Sequence, residues 1–71
     1  MKKPQVLFGK KLSMVRKERG ISQERLAELA GIHRNYVGMV ERGMQSPSLN
    51  LIVDFAHALK VKPVELFELI R

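Results

Sequence analysis

When residues 34–42 are placed on a helical wheel at about 100° per residue, Asn35, Met39 and Arg42 fall on the outward side with Arg34 on its flank. Two guanidiniums and a carboxamide are hydrogen-bond donors suited to an anionic surface. The charge of the chain points the same way. Its formal net charge is +6, and the whole excess lies in residues 1–35, where nine Lys/Arg face only Glu18, Glu24 and Glu28. One side turned toward a polyanion produces that asymmetry, and so does a solvated, solubilising surface. Gly38 also falls on the outward side, where it costs an exposed helix about 1 kcal/mol relative to Ala. That position suggests close approach by a partner. Catalysis is not in prospect: His33 and His57 lie on different helical patterns, and the sequence has no cysteine and no clustered carboxylates to form an activated pocket. Two histidines cannot alone make a metal site, which needs three or four ligands. No metal or cofactor is therefore expected.

The elements that must position this face are short and helical. Phe8, Leu12 and Val15 recur at helical spacing across residues 6–19, and Gly20 follows as a terminator. Arg16 lies beside that apolar stripe, so it is partly buried and needs an acidic partner. Ser22 is a good N-cap for a second helix ending near Ala30, with Leu26, Ala27, Leu29 and Ala30 on its inner face. Gly31 breaks the pattern, and a third helix starts after only Ile32 and His33. Two helices joined so closely cross at a steep angle. Val37 and Val40 mark the buried side of the third helix. A fourth follows at 48–59, capped by Ser48, with Leu49, Ile52, Phe55, Ala56 and Leu59 inward and Leu51 and Val53 left over. Pro63 opens a fifth, whose Val64, Leu66, Phe67, Leu69 and Ile70 are too many for one face. The excess either closes a small core or forms a dimer interface. No run alternates as a strand does. The apolar run Val6, Leu7, Phe8 is far too short for a signal sequence or a membrane span, so a soluble, cytoplasmic chain is expected. At 71 residues it is one domain that buries only about 60% of its unfolded surface.

The words GISQERLAELAGI, YVGMVERG and PSLNLIVDFAHAL resemble the phage-repressor and Cro-like helix-turn-helix family, also called the XRE family, over nearly the whole chain. Gln23, Ala27, Gly31, Val37 and Val40 match its polar opener, small residue, turn glycine and buried aliphatics. The resemblance implies an all-α, compact five-helix lambda-repressor-like domain over 1–71, with its helix-turn-helix core at about 22–43. It makes 34–42 the recognition helix, placed in the major groove of double-stranded DNA. Its base-reading positions map to His33, Arg34, Asn35, Gly38 and Met39. There, arginine suits guanine, asparagine suits adenine and methionine suits a thymine methyl. Ser22, Gln23, Arg42 and Gln45 map to positions that hold phosphates, and Arg16 with Glu41 to a buried salt bridge. His33 departs from the usual serine or threonine cap and divides between capping and DNA contact, and Lys62 replaces the usual cap of the fifth helix.

The function implied is a sequence-specific transcriptional regulator, a repressor or a controller protein, acting as a homodimer on a palindromic operator. Leu51, Val53, Phe67 and Ile70 are the candidate dimer interface, and no small-molecule effector is expected. The competing reading is a protein-interaction module or antitoxin-like subunit that uses the apolar surface of helices 4 and 5. The words HRNYVGMVERG resemble in particular the controller proteins of restriction-modification systems.

Overall fold

The computed structural model describes residues 3–68. Four α-helices, α1 (Pro4–Glu18), α2 (Gln23–Ala30), α3 (Arg34–Glu41) and α4 (Leu49–Leu59), are followed by a 3-10 turn at Pro63–Phe67. The fifth helix expected from the sequence is thus a single tight turn within the described residues. Only Leu66 of it is buried, while Val64 is 66% exposed. Pro63 fixes the backbone at its first position, and the Glu65 carboxylate accepts the Lys62 N–H at 2.7 Å. Glu65 thus satisfies the backbone donor of Lys62, whose ammonium has no lone pair with which to cap the turn.

Each helix boundary has a local cause. The Ser22 and Ser48 hydroxyls accept the N–H groups of Arg25 and Leu51 at 3.0 and 3.1 Å, covering donors left free in a first turn. Gly31 ends α2 at φ 73°, ψ 33°, left-handed values that a side chain would disfavour. Its N–H and that of Ile32 return to the carbonyls of Glu28 and Ala27. That turn lets α3 start across α2 after only Ile32 and His33.

The core joins Phe8, Leu12 and Val15 of α1, Leu26 and Ala27 of α2, and Val37 and Val40 of α3 to Leu51, Ile52, Phe55, Ala56 and Leu59 of α4, with Leu66 closing the end. α3 packs on α1 and α2, and α4 packs on α2. The crossing of α1 and α3 depends on Gly9. A Cβ there would lie 2.3 Å from the Val40 carbonyl oxygen and 2.7 Å from that of Glu41, so the backbones touch where the glycine stands. The apolar stripe of α1 marks Phe8 and Leu12, and the contact itself is made at Gly9 between them.

Three leucines lie otherwise than the sequence pattern predicts. Leu51, expected off the stripe and available to a partner, is 8% exposed and belongs to the core, whereas Leu49, expected inside, is 73% exposed. The reason is angular: Leu51 lies four residues before Phe55 and so within about 40° of it on the helix, while Leu49 is about 120° away. Leu29 is likewise 45% exposed instead of lining the inner face of α2. Among the described residues no helix is long and apolar enough to cross a membrane.

Candidate nucleic-acid interface

Behind α3, three polar side chains tie its end to the rest of the domain. Arg16 Nε donates to Glu41 Oε2 at 2.7 Å and Arg16 Nη2 to Glu41 Oε1 at 3.1 Å, a two-pronged pairing. Gln23 Nε2 donates to Glu41 Oε1 at 2.9 Å. Arg16 Nη1 reaches the Ile21 carbonyl at 2.9 Å, so the guanidinium also ties down the connection between α1 and α2. Both charged side chains are nearly buried, at 10% and 6% exposure, and among the described residues no buried side-chain polar atom lacks a partner. A buried pair tolerates desolvation only when its remaining hydrogen-bonding groups are satisfied, and Gln23 and Ile21 provide that here.

The front of α3 is the opposite. Gln23, Arg34, Asn35, Gly38, Met39 and Arg42 line one open cleft of about 350 Å³. An adjoining hollow of about 420 Å³ is lined by Arg16, Ser22, Gln23, Glu24 and Arg34. Among the described residues the guanidiniums of Arg34 and Arg42 and the side-chain amide of Asn35 make no intramolecular hydrogen bond or ion pair. Their donors face solvent, next to the positive end of α2's dipole.

The structure thus gathers six sequence-predicted site residues around one cleft and sets Ser22 beside it. His33 and Gln45 line neither hollow. His33 is the N-cap of α3, its Nδ1 accepting the Asn35 N–H at 3.1 Å, and Gln45 is an exposed loop residue after α3. The Ser22 hydroxyl accepts from Arg25 and keeps its own hydrogen for a further acceptor. Gln23 uses one amide hydrogen on Glu41 and keeps the other.

Gly38 requires a correction. It was expected on the open side of the helix, yet it is buried. The cause is Arg42, one turn on, which folds back so that its Nη1 lies 3.1 Å from where a Gly38 Cβ would stand. The spacing of four between the two residues was the available signal.

The proposed interface residues scatter. Leu51 is in the core, Val53 is half-buried on α4, and Ile70 lies outside the described residues. Phe67 is 37% exposed and tilts against Phe8 with ring centroids 5.6 Å apart. It lines an apolar hollow of about 140 Å³ with Phe8, Pro47 and Ile52. Among the described residues no group of three or more His, Cys, Asp or Glu could hold a metal ion.

Known proteins resemble this chain in sequence and in fold. A family model described as helix-turn-helix matches residues 12–66. The chain is 38% identical over 64 residues to the control protein C.BamHI of Bacillus amyloliquefaciens, covering 89% of this chain and 79% of that one. It resembles the crystal structure of the restriction-modification controller protein C.AhdI from Aeromonas hydrophila with a TM-score of 0.87 and 49% identity, over 89% of this chain and 96% of that one. The clp gene regulator ClgR of Corynebacterium glutamicum superposes with a TM-score of 0.90 at 25% identity, over 92% of this chain and 69% of that one. The fold is therefore lambda-repressor-like, and the chain belongs to the Cro-like helix-turn-helix family of DNA-binding transcriptional regulators, which are not enzymes.

Proposed function

We propose that the chain is a cytoplasmic, sequence-specific regulator of the controller-protein kind that binds a palindromic operator as a homodimer. The observation that carries this reading is the cleft on α3, where Arg34, Asn35 and Met39 share one open surface and, among the described residues, the side-chain donors of Arg34 and Asn35 make no hydrogen bond. Arg34 reads guanine in the major groove and Asn35 reads adenine, each good bidentate pair giving about 1–3 kcal/mol of discrimination. Met39 packs against a thymine methyl, and His33 stands at the N-terminal edge of the reading helix. Ser22, Gln23 and Gln45 hold the phosphate backbone on either side. Similarity to C.BamHI and C.AhdI, one named a control protein and the other a restriction-modification controller protein, supports the regulatory assignment.

The dimer, in this reading, uses the accessible apolar surface of Val53 and Phe67, without Leu51. It places two recognition helices about 34 Å apart, one turn of DNA. Selection of bound duplexes from a random pool tests the whole proposal. The wild-type chain should recover a two-fold symmetric site, and Arg34→Ala should relax one or two base pairs per half-site. Gln23→Ala should weaken all sequences alike. A strict monomer in sedimentation at high concentration removes the dimer, and uniform loss from both variants removes the reading face.

A further inference from the structure

We infer that Arg42 is a base-reading residue, a second guanine reader seated by the absence of a side chain at Gly38, and not a grip on the phosphate backbone. The inference rests on the proposed reading of α3 as the recognition helix.

Arg42 is the C-cap of α3, at the end of the helix away from Arg34 and Asn35. A side chain there leans toward the helix N-terminus. In most helices it would run over the residue four positions earlier, but here that residue is Gly38. The guanidinium lies down on bare backbone, with Nη1 3.1 Å and Cζ 3.9 Å from the place a Cβ would occupy. Four residues of helix are about 6 Å of rise, so the charge is carried about one turn back toward the reading end. Gln23 Oε1 marks the other wall of the same seat, 4.0 Å from that Cβ position. The guanidinium thereby joins the cleft of Arg34, Asn35 and Met39.

Two guanidiniums in one cleft repel each other, and the Arg42 guanidinium makes no intramolecular ion pair or hydrogen bond among the described residues. What relieves both is a surface offering several acceptors at base-pair spacing. Guanine presents two in the major groove, O6 and N7, matched to the planar fork of arginine. The fold-back over Gly38 directs the Arg42 side chain along α3 toward Arg34 and Asn35.

The test is selection of bound duplexes followed by titration of single-substituted sites, with wild type, Arg42→Ala, Arg42→Lys, Gly38→Ala and the double variant Gly38→Ala/Arg42→Ala. The Ala at Gly38 meets only the tip of a flexible side chain, so the fold is retained and the guanidinium is displaced. Arg42→Ala and Arg42→Lys should abolish preference at one guanine per half-site, distinct from the position lost in Arg34→Ala, with other positions unchanged. Gly38→Ala should weaken preference at the Arg42 position by several-fold, and in the double variant it should add nothing there. Uniform loss across all sequences in the Arg42 variants, with a shallower salt dependence, would mean a phosphate contact and overturns the inference while the Arg34 result keeps the reading face intact. A wild-type chain that selects no sequence overturns both.

Discussion

On the α3 side of the domain, Arg16, Gln23 and Glu41 satisfy one another behind the helix while the side chains of Arg34, Asn35 and Arg42 have no hydrogen-bond partner among the described residues in front. At the α4 and 3-10 end the order is reversed. There the inner layer, Leu51, Ile52, Phe55 and Leu66, is apolar and packed, and the outer residues Leu49, Val64 and Phe67 are apolar as well. One region separates holding from reading by hydrogen-bond geometry, which is directional, and the other has only burial to separate inside from outside. The difference teaches where each region is fragile. The polar side fails when one partner of a network is removed, and the apolar side fails in proportion to the volume removed.

Removing the Glu41 carboxylate is the largest expected break. Glu41→Ala leaves the Arg16 guanidinium nearly buried without its counter-charge and frees Gln23, a loss of about 3–5 kcal/mol. For a small domain that is a large share of total stability, so urea titration should show a much lower midpoint or no cooperative transition. Loss below about 1 kcal/mol would mean that the pair does not hold α3 in place. Arg16→Ala should match it, and the double variant should cost much less than the two added together, because each single change strands a charge and the pair does not.

Leu51→Ala and Leu49→Ala form the corresponding test at the other end. Leu51 sits among Phe55, Ile52 and the rest of the core, and its truncation should cost about 2–5 kcal/mol. Leu49, two residues away and exposed, should change stability by no more than about 0.5 kcal/mol. Equal effects would place the two leucines in equivalent surroundings and reverse the orientation of α4.

That pair also marks where the sequence was legible. The helix-turn-helix could be read because its signals are local: Ser22 caps, Gly31 turns, and Arg16 beside an apolar stripe asks for an acid. Each acts within a few residues or carries a charge that must be answered. α4 has Leu49, Leu51, Ile52, Val53, Phe55, Ala56, Ala58 and Leu59 in eleven positions, apolar nearly all round, so its orientation is decided by the neighbouring helices and periodicity alone misplaced Leu49 and Leu51. The same holds for the segment after Pro63, where an apolar composition suggested a helix and the described backbone makes one 3-10 turn. In the cleft, residue types and spacing named the members, but the cover that Arg42 places over Gly38 is a side-chain conformation that spacing does not contain.

Gly9 sharpens the comparison from the backbone side, because it brings α1 against the end of α3 without either polar pairing or apolar bulk. Gly9→Ala would push a methyl group onto the Val40 and Glu41 carbonyl oxygens, which are backbone atoms and cannot swing away. The helices must separate, at about 1–3 kcal/mol, although alanine is by propensity the better helix residue. Thermal unfolding should therefore show a lower midpoint. A raised midpoint would show that α1 and α3 are not in contact at this glycine.

The smallest expected effect concerns His33, which stands between holding and reading. Its Nδ1 accepts the Asn35 N–H, so in the neutral ring the hydrogen must reside on Nε2, and nitrogen-correlated NMR should find that tautomer. Serine is a strong N-cap, hence His33→Ser should change stability by no more than about 0.5 kcal/mol. His33→Ala, which removes the acceptor, should cost about 1 kcal/mol. If both variants also bind operator as wild type does, the ring serves only to start α3, and reading belongs to the cleft residues alone. A loss of affinity in His33→Ser with stability unchanged would instead assign the outward Nε2–H to DNA, since the cap is intact in that variant and the ring that carries that donor outward is gone.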